Sequence, residues 1–227
     1  MRRLIAPVVL AAALLSAPAQ AAERRWPVGS VERVRVEAPV KVRIVTGGGN
    51  GVRATGADRA VLDALDLRTD GATLTIRALR KGPLAAGMPA EILVATPRLD
   101  TLALFAPATV TVDALRGARA SVSVAGAGDV TIARVDADTF VATLVGEGTI
   151  TAAGRAREVR LAGNGPGTLD AGRLLAERAQ VQAAGDIIIR AAARSTAQVT
   201  AGPDAQVSVE GRPQCTIRAA KPAAVRC

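Results

Sequence analysis

SVSVAGAGDVTI at 121–132, followed by VATLVGEGTITA at 141–152, is the stretch that decides the fold. VRLAGNGPGTLDA at 159–171 and VQAAGDIII at 181–189 continue it. Each segment is a short apolar-polar alternation, a small residue with glycine, and a second short alternation. Gly126 and Gly146 lie 20 residues apart, as do Gly128 and Gly148, and Gly167 follows 19 later. A fixed period near 20 built from strands predicts a coil that stacks on copies of itself, a β-solenoid. Gly126, Gly128, Gly146, Gly148, Gly163, Gly167 and Gly185 are the expected turn glycines. They stand where a corner needs backbone geometry that side chains oppose.

Working outward, LDTLALFAPATVTV at 99–112 overlays this repeat at an offset of 20, with Ala106 in the place of Gly126. One inward column is then expected to read Val110, Val130, Ile150, Leu169, Ile187, and its neighbour Val112, Ile132, Ala152, Ala171, Ile189. Such columns stack rung on rung at ~4.8 Å through parallel hydrogen bonds. The glycines at 163–167 read as a two-residue insertion, and the turn at Gly185 lacks a second glycine. Terminal repeats of a solenoid are often atypical because they cover an open edge.

Towards the N-terminus, VERVRVEAPVKVRIV at 31–45 alternates strictly and reads as a half-buried strand pair bent at Ala38-Pro39. Its outward residues Arg33, Arg35, Lys41 and Arg43 form a candidate basic face for an anionic polymer. A glycine turn at 46–51, strands at 52–55, 72–78 and 90–96, one short helical turn or an irregular loop at 57–67 and a loop at 80–89 complete this part. Residues 1–21 carry Arg2-Arg3, an apolar run and an Ala19-Gln20-Ala21 cleavage site, the pattern of a secretory signal peptide. Residues 22–30 read as a short leader, and 31–227 as one domain. Cys215 and Cys227, the only cysteines, are expected to pair in an oxidising compartment and clasp a C-terminal cap at 215–227.

Composition limits the chemistry. The chain of 227 residues has 29 Lys and Arg against 20 Asp and Glu, a net charge of +9, and no His or Tyr. Without His, the commonest general base and metal ligand is missing. Trp26, Phe105 and Phe140 are the whole aromatic set, which argues against both a sugar-binding cleft and a single-stranded nucleic-acid platform, since each leans on exposed aromatic faces. The glycine pairs precede strands rather than helices, so they are not phosphate loops. Asp129 is followed in its column by Thr149 and Thr168, which does not suit a calcium repeat. Asp129 and Asp186 would share a column three turns apart, too far for joint catalysis. Asp136 and Asp138 are the one carboxylate pair with spacing for glycoside hydrolysis, at ~7 Å along a strand. The outward residues Thr109, Thr111, Asp129, Thr131, Thr149, Thr151 and Thr168 predict a hydroxyl-rich ladder on one face.

Three features together resemble a known family. They are Pro39-Val40-Lys41-Val42 before a glycine turn, Asp70-Gly71-Ala72-Thr73-Leu74-Thr75-Ile76, and the turns Gly126-Ala127-Gly128 and Gly146-Glu147-Gly148. Over roughly residues 31–210 the chain resembles the auto-transporter adhesin head GIN domain family of exported bacterial proteins. The resemblance implies a right-handed parallel β-helix with a β-rich start, and brings no catalytic residues. The expectation is therefore an all-β solenoid of the periplasm or cell surface with no cofactor and no enzymatic activity. Its partner would be an anionic envelope polymer or glycan, not nucleic acid. A self-assembling structural role and a polysaccharide-active enzyme are the alternatives, and monomer or self-association is left open.

Overall fold

The computed structural model describes residues 22–79, 83–84, 87–221 and 224–227. The signal peptide expected at 1–21 lies outside the described residues. The strands are β1 (Ala22–Trp26), β2 (Arg33–Glu37), β3 (Lys41–Thr46) and β4 (Gly51–Gly56). After the helix α1 (Arg59–Asp63) come β5 (Leu65–Asp70), β6 (Thr73–Ala78), β7 (Ala90–Thr96), β8 (Thr101–Leu104) and β9 (Thr109–Val112). The repeat region follows as β10 (Leu115–Ala125), β11 (Asp129–Val145), β12 (Thr149–Asn164), β13 (Thr168–Ala184) and β14 (Ile188–Ala201). The chain closes with β15 (Gln206–Gly211), β16 (Gln214–Ala219) and β17 (Val225–Arg226). Together they form a β-solenoid of about 6 turns with a spacing near 20 residues.

The hydrogen-bonded register divides the solenoid into walls. On the first wall the order is β5, β6, β2, β8, β10, β11, β12, β13, β14, β16. On the second it is β1, β4, β7, β3, β9, β11, β12, β13, β14, β15, β17. From β10 onward a short third wall closes the prism, where Val135–Ala137 pairs with Leu115–Gly117 on one side and Gly154–Ala156 on the other. Along β11 the alternation of buried and exposed residues breaks at 133–134 and 137–139, which are the corners of the prism. Inside stand aliphatic columns, with Phe140 the one buried ring.

Several readings change in the structure. The segment 31–45 gives two strands, but β2 and β3 do not pair with each other. They are consecutive sides of one coil, each bonded in parallel to strands of the coils above and below. That coil is not at the end of the stack, because β6 and β7 lie on one side of it and β8 and β9 on the other. Residues 65–70 form β5, a hairpin partner of β6, and residues 22–26 of the expected leader form β1, antiparallel to β4. The outermost N-terminal strands are β5, which runs antiparallel to the stack, and β1, which runs with it because β4 is antiparallel to both β7 and β1. They carry charged side chains (Glu23, Arg24, Arg25; Asp66, Arg68, Asp70), the usual protection of an edge. Between them sits α1, whose N-cap Asp58 accepts a 2.9 Å bond from Val61 N. Its Val61 and Leu62 are buried against the end of the core.

The expected columns hold as far as Leu169 and Ala171 and then continue through Ile189 and Ala191, not Ile187 and Ile189. The slip arises at 163–167, where there is no insertion. Val145 pairs with Asn164 and Thr149 with Thr168, so the turns match in length. The residue lost in that coil is at the corner between Ile132 and Val135. Gly163 is accordingly not a turn glycine. It lies in β12 between Leu144 and Ala183, and Gly165 takes the turn position. Asp186 likewise leaves the Asp129 column, whose next members are Thr149, Thr168 and Ile188.

The corner itself explains the glycines. Gly146 has φ 119°, and a Cβ there would sit 2.7 Å from the Gly126 carbonyl oxygen of the rung below. The second glycine of each corner makes room for a large side chain from the first wall. A Cβ on Gly128 would strike Leu104, and one on Gly167 would come within 2.7 Å of Leu144 Cδ2. In the last such corner the pairing is reversed: Ile187 replaces the second glycine, and Gly163 vacates the column where Leu104 and Leu144 stand, so that a Cβ on Gly163 would strike Ile187. Volume is conserved by exchanging the large and small partners. Gly163→Leu should cost ~1–3 kcal/mol by overpacking. Ile187→Gly should cost ~2–5 kcal/mol by leaving a cavity. The double variant is expected to regain more than half of the summed loss in urea unfolding.

Cys215 in β16 and Cys227 beyond β17 are disulfide-bonded. The bond ties the last strand of the first wall to the last strand of the second, across the end opposite α1. Ile217, in line with buried Val199, is 41% exposed there because no further rung covers it. Replacing both cysteines with serine should lower stability by ~3 kcal/mol on the chain-entropy model for a loop of this size, read as a lower melting temperature.

Candidate functional site

The second wall carries the predicted hydroxyl ladder in register. One outward row runs Lys41, Thr109, Asp129, Thr149, Thr168. The adjacent row runs Arg43, Thr111, Thr131, Thr151, Asp170. Neighbouring members of a row are ~4.8 Å apart, and the two rows are ~7 Å apart along each strand. At the N-terminal end of the rows Lys41 and Arg43, with Glu91, Thr109, Thr111 and Asp113, line a groove of about 600 Å³. Asp113 is already engaged, because its carboxylate accepts from Thr46 N and Thr46 Oγ1 at 2.9 Å each. Neither Lys41 nor Arg43 forms an ion pair among the described residues.

The four-residue basic face is divided by the fold. Arg33 and Arg35 lie on the first wall, around the corner from Lys41 and Arg43. They are also occupied: Arg33 Nε donates to Thr73 Oγ1 at 3.0 Å, and Arg35 pairs with Glu37 while its guanidinium lies 4.3 Å from the centre of the Phe105 ring. Arg35 and then Arg77, bonded at 2.8 Å, hold the Glu37 carboxyl below its ordinary range against a smaller opposing effect of burial. Beyond Arg33 and Arg35 the first wall turns nearly uncharged, with Ser123, Thr143, Ala162, Gln182 and Thr200 in one outward row.

Asp136 and Asp138 stand side by side on the third wall, each tied to an arginine of the next rung. Asp136 accepts from Arg155 Nε at 3.0 Å and from Arg155 Nη2 at 3.3 Å, and Asp138 from Arg157 Nη2 at 2.9 Å. The hydrogen bond from Arg155, aided by the charges of Arg155, Arg116 and Arg134, lowers the Asp136 pKa. A glycosidase general acid requires the opposite shift. Among the described residues no three His, Cys, Asp or Glu side chains gather as a metal site.

The third wall also holds what sequence reading missed. Arg116, Arg134, Arg155, Arg173 and Arg194 recur at intervals of 18 to 21 residues, the coil period itself. Tracing that period through the arginines, and not only the glycines, finds them.

The comparisons agree with this architecture. A family model described as "Putative auto-transporter adhesin, head GIN domain" matches residues 31–213. The chain belongs to this family. Among solved structures, the GIN solenoid is similar to a putative adhesin from Bacteroides fragilis, with TM-score 0.78 and 15% identity over 88% of this chain and 94% of that one. A putative lipid binding protein from Parabacteroides distasonis is similar with TM-score 0.67 and 14% identity, over 89% and 94%. A putative adhesin from Parabacteroides merdae gives TM-score 0.63 and 10% identity, over 89% and 94%. No match is found among curated proteins. At these identities the structural likeness concerns the fold. The family points to a non-enzymatic, adhesin-like protein and suggests a surface or envelope location.

The Asp136–Arg155 pair is open to direct measurement. In a carboxyl NMR titration Asp136 should show a midpoint below that of an ordinary aspartate, and Arg155→Gln should raise it. The sign for stability follows: the pair contributes fully above the unfolded-chain pKa, and its contribution is lost as pH falls through the lowered folded pKa.

Proposed function

We propose that this GIN domain is an exported, adhesin-like binding module that holds an acidic surface glycan along its second wall. The signal-like pattern at 1–21 supports export, and the clasped C-terminal end suits an oxidising envelope or extracellular compartment. One observation carries the ligand class: two rows of hydroxyls in fixed register lead into a groove where Lys41, beside Glu91, and Arg43 form no ion pair among the described residues. Threonine hydroxyls can both donate to and accept from sugar hydroxyls. Lys41 and Arg43 would pair with a uronate or phosphate of the same polymer, with weak contacts summed along the rungs.

Glycan-array or microscale binding with the chain from Ala22 on, which carries every described strand, tests this reading. An acidic polysaccharide should bind more tightly than a neutral one, and more weakly as salt rises. Lys41→Ala with Arg43→Ala should reduce affinity by roughly tenfold or more at low salt. Thr131→Val with Thr151→Val should weaken acidic and neutral ligands alike, while Arg33→Ala should change little. Binding that depends on Arg33 and ignores Lys41 and Arg43, or no glycan binding, would overturn the assignment.

A further inference from the structure

The third wall is the most cationic surface of the solenoid, and the glycan reading does not use it. Arg116, Arg119, Arg134, Arg173, Arg178 and Arg194 are all exposed and form no ion pair among the described residues. The carboxylates Asp136 and Asp138 are neutralised by Arg155 and Arg157. The free arginines do not form a single file. Arg134 and Arg173 occupy one corner two rungs apart, at ~10 Å, since the residues following them align as Val135, Gly154 and Leu174. Arg119 and Arg178 stand at the opposite corner in the row Arg119, Thr139, Glu158, Arg178. Between the corners lies Leu175, 49% exposed, which takes the next place in the row Arg116, Asp136, Arg155. Leu175 borders a shallow hollow lined by Arg155, Arg157 and Arg194 together with Asp136, Asp138 and Glu177, so arginine remains in excess there only when the free arginines at the corners are included.

We propose that this wall docks the protein onto the surface of an anionic phospholipid bilayer. Three features fit that partner. The cations are arginines, whose planar guanidinium bonds phosphate oxygens in pairs. They spread in two dimensions over a flat wall, which matches a plane of headgroups better than a thread of polymer. An apolar side chain projects from their midst, placed to enter the interface while the arginines hold the phosphates. The inference stands independently of glycan binding, because the two faces share no residue. If both hold, the protein lies on a membrane by one wall and presents the threonine rows on another.

Vesicle flotation with the chain from Ala22 on tests the proposal, using phosphatidylcholine vesicles with and without phosphatidylglycerol. The expected result is binding only to the phosphatidylglycerol-containing vesicles, falling steeply as salt rises. Each arginine near an anionic surface contributes about fivefold in affinity, so Arg116→Gln, Arg134→Gln and Arg173→Gln together should weaken binding on the order of 100-fold. Leu175→Asp alone should also weaken it. Lys41→Gln with Arg43→Gln should leave it nearly unchanged, which separates this wall from the glycan site. All these side chains are exposed, and an unchanged melting temperature would confirm that the variants fold. The proposal is overturned by equal binding to both vesicle types, by no binding, by a triple variant that binds like the parent, or by a third wall that captures soluble polyuronate but not vesicles.

Discussion

Everything in this molecule depends on the parallel hydrogen-bond ladder between successive coils. It fixes the rise at ~4.8 Å and sets each residue over its equivalent in the coil below. A side chain is therefore repeated, compensated or paired with its own kind at van der Waals distance. That is why the columns are aliphatic, why corners return to glycine, and why the exchange between Gly163 and Ile187 is needed. Where a large residue appears at a corner, its neighbour on the adjoining wall must shrink.

The same ladder builds the surfaces. Outward residues at one coil position form rows, so a chemical preference kept at that position becomes a stripe down the molecule. The second wall is striped with hydroxyls, the first is largely uncharged beyond Arg33 and Arg35, and the third is striped with arginine and aspartate. No concave, water-excluding pocket with convergent titratable groups is assembled among the described residues. On the third wall Asp136 is held in its charged form by Arg155. Such surfaces suit repeated shallow contact more than bond-making chemistry, in agreement with the adhesin family.

The repeat region was legible because its signals are local and periodic. Gly126, Gly146 and the alternation around them fix the coil length, and the threonine positions follow. What failed to show was long-range. Nothing in VERVRVEAPVKVRIV distinguishes a hairpin from two sides of a coil, since both alternate in the same way. The difference lies in partners such as Leu74 and Leu102, which face Val34 from far along the chain. The four-residue basic face dissolved for that reason. The column shift at Ile187 has another cause: glycines at every second position, 163, 165 and 167, offer two alignments, and the register that sets Gly163 against Ile187 selects one.

The position of the β2–β3 coil has a consequence for how the chain acquires its shape. Val34 is flanked by Leu74 on one side and Leu102 on the other, so this early coil waits for partners that emerge 40 and 68 residues later. One side of this coil is covered once β7 has ended at Thr96, and the other stays a bare apolar edge until β9 ends at Val112. From β10 onward each further stretch of roughly 20 residues completes one coil on a finished template, with no wait for distant partners. Synthesis and delivery of this chain thus have a vulnerable first half and a processive second half. A chaperone that protects it has its work in the first hundred residues, before the solenoid has anything to grow on.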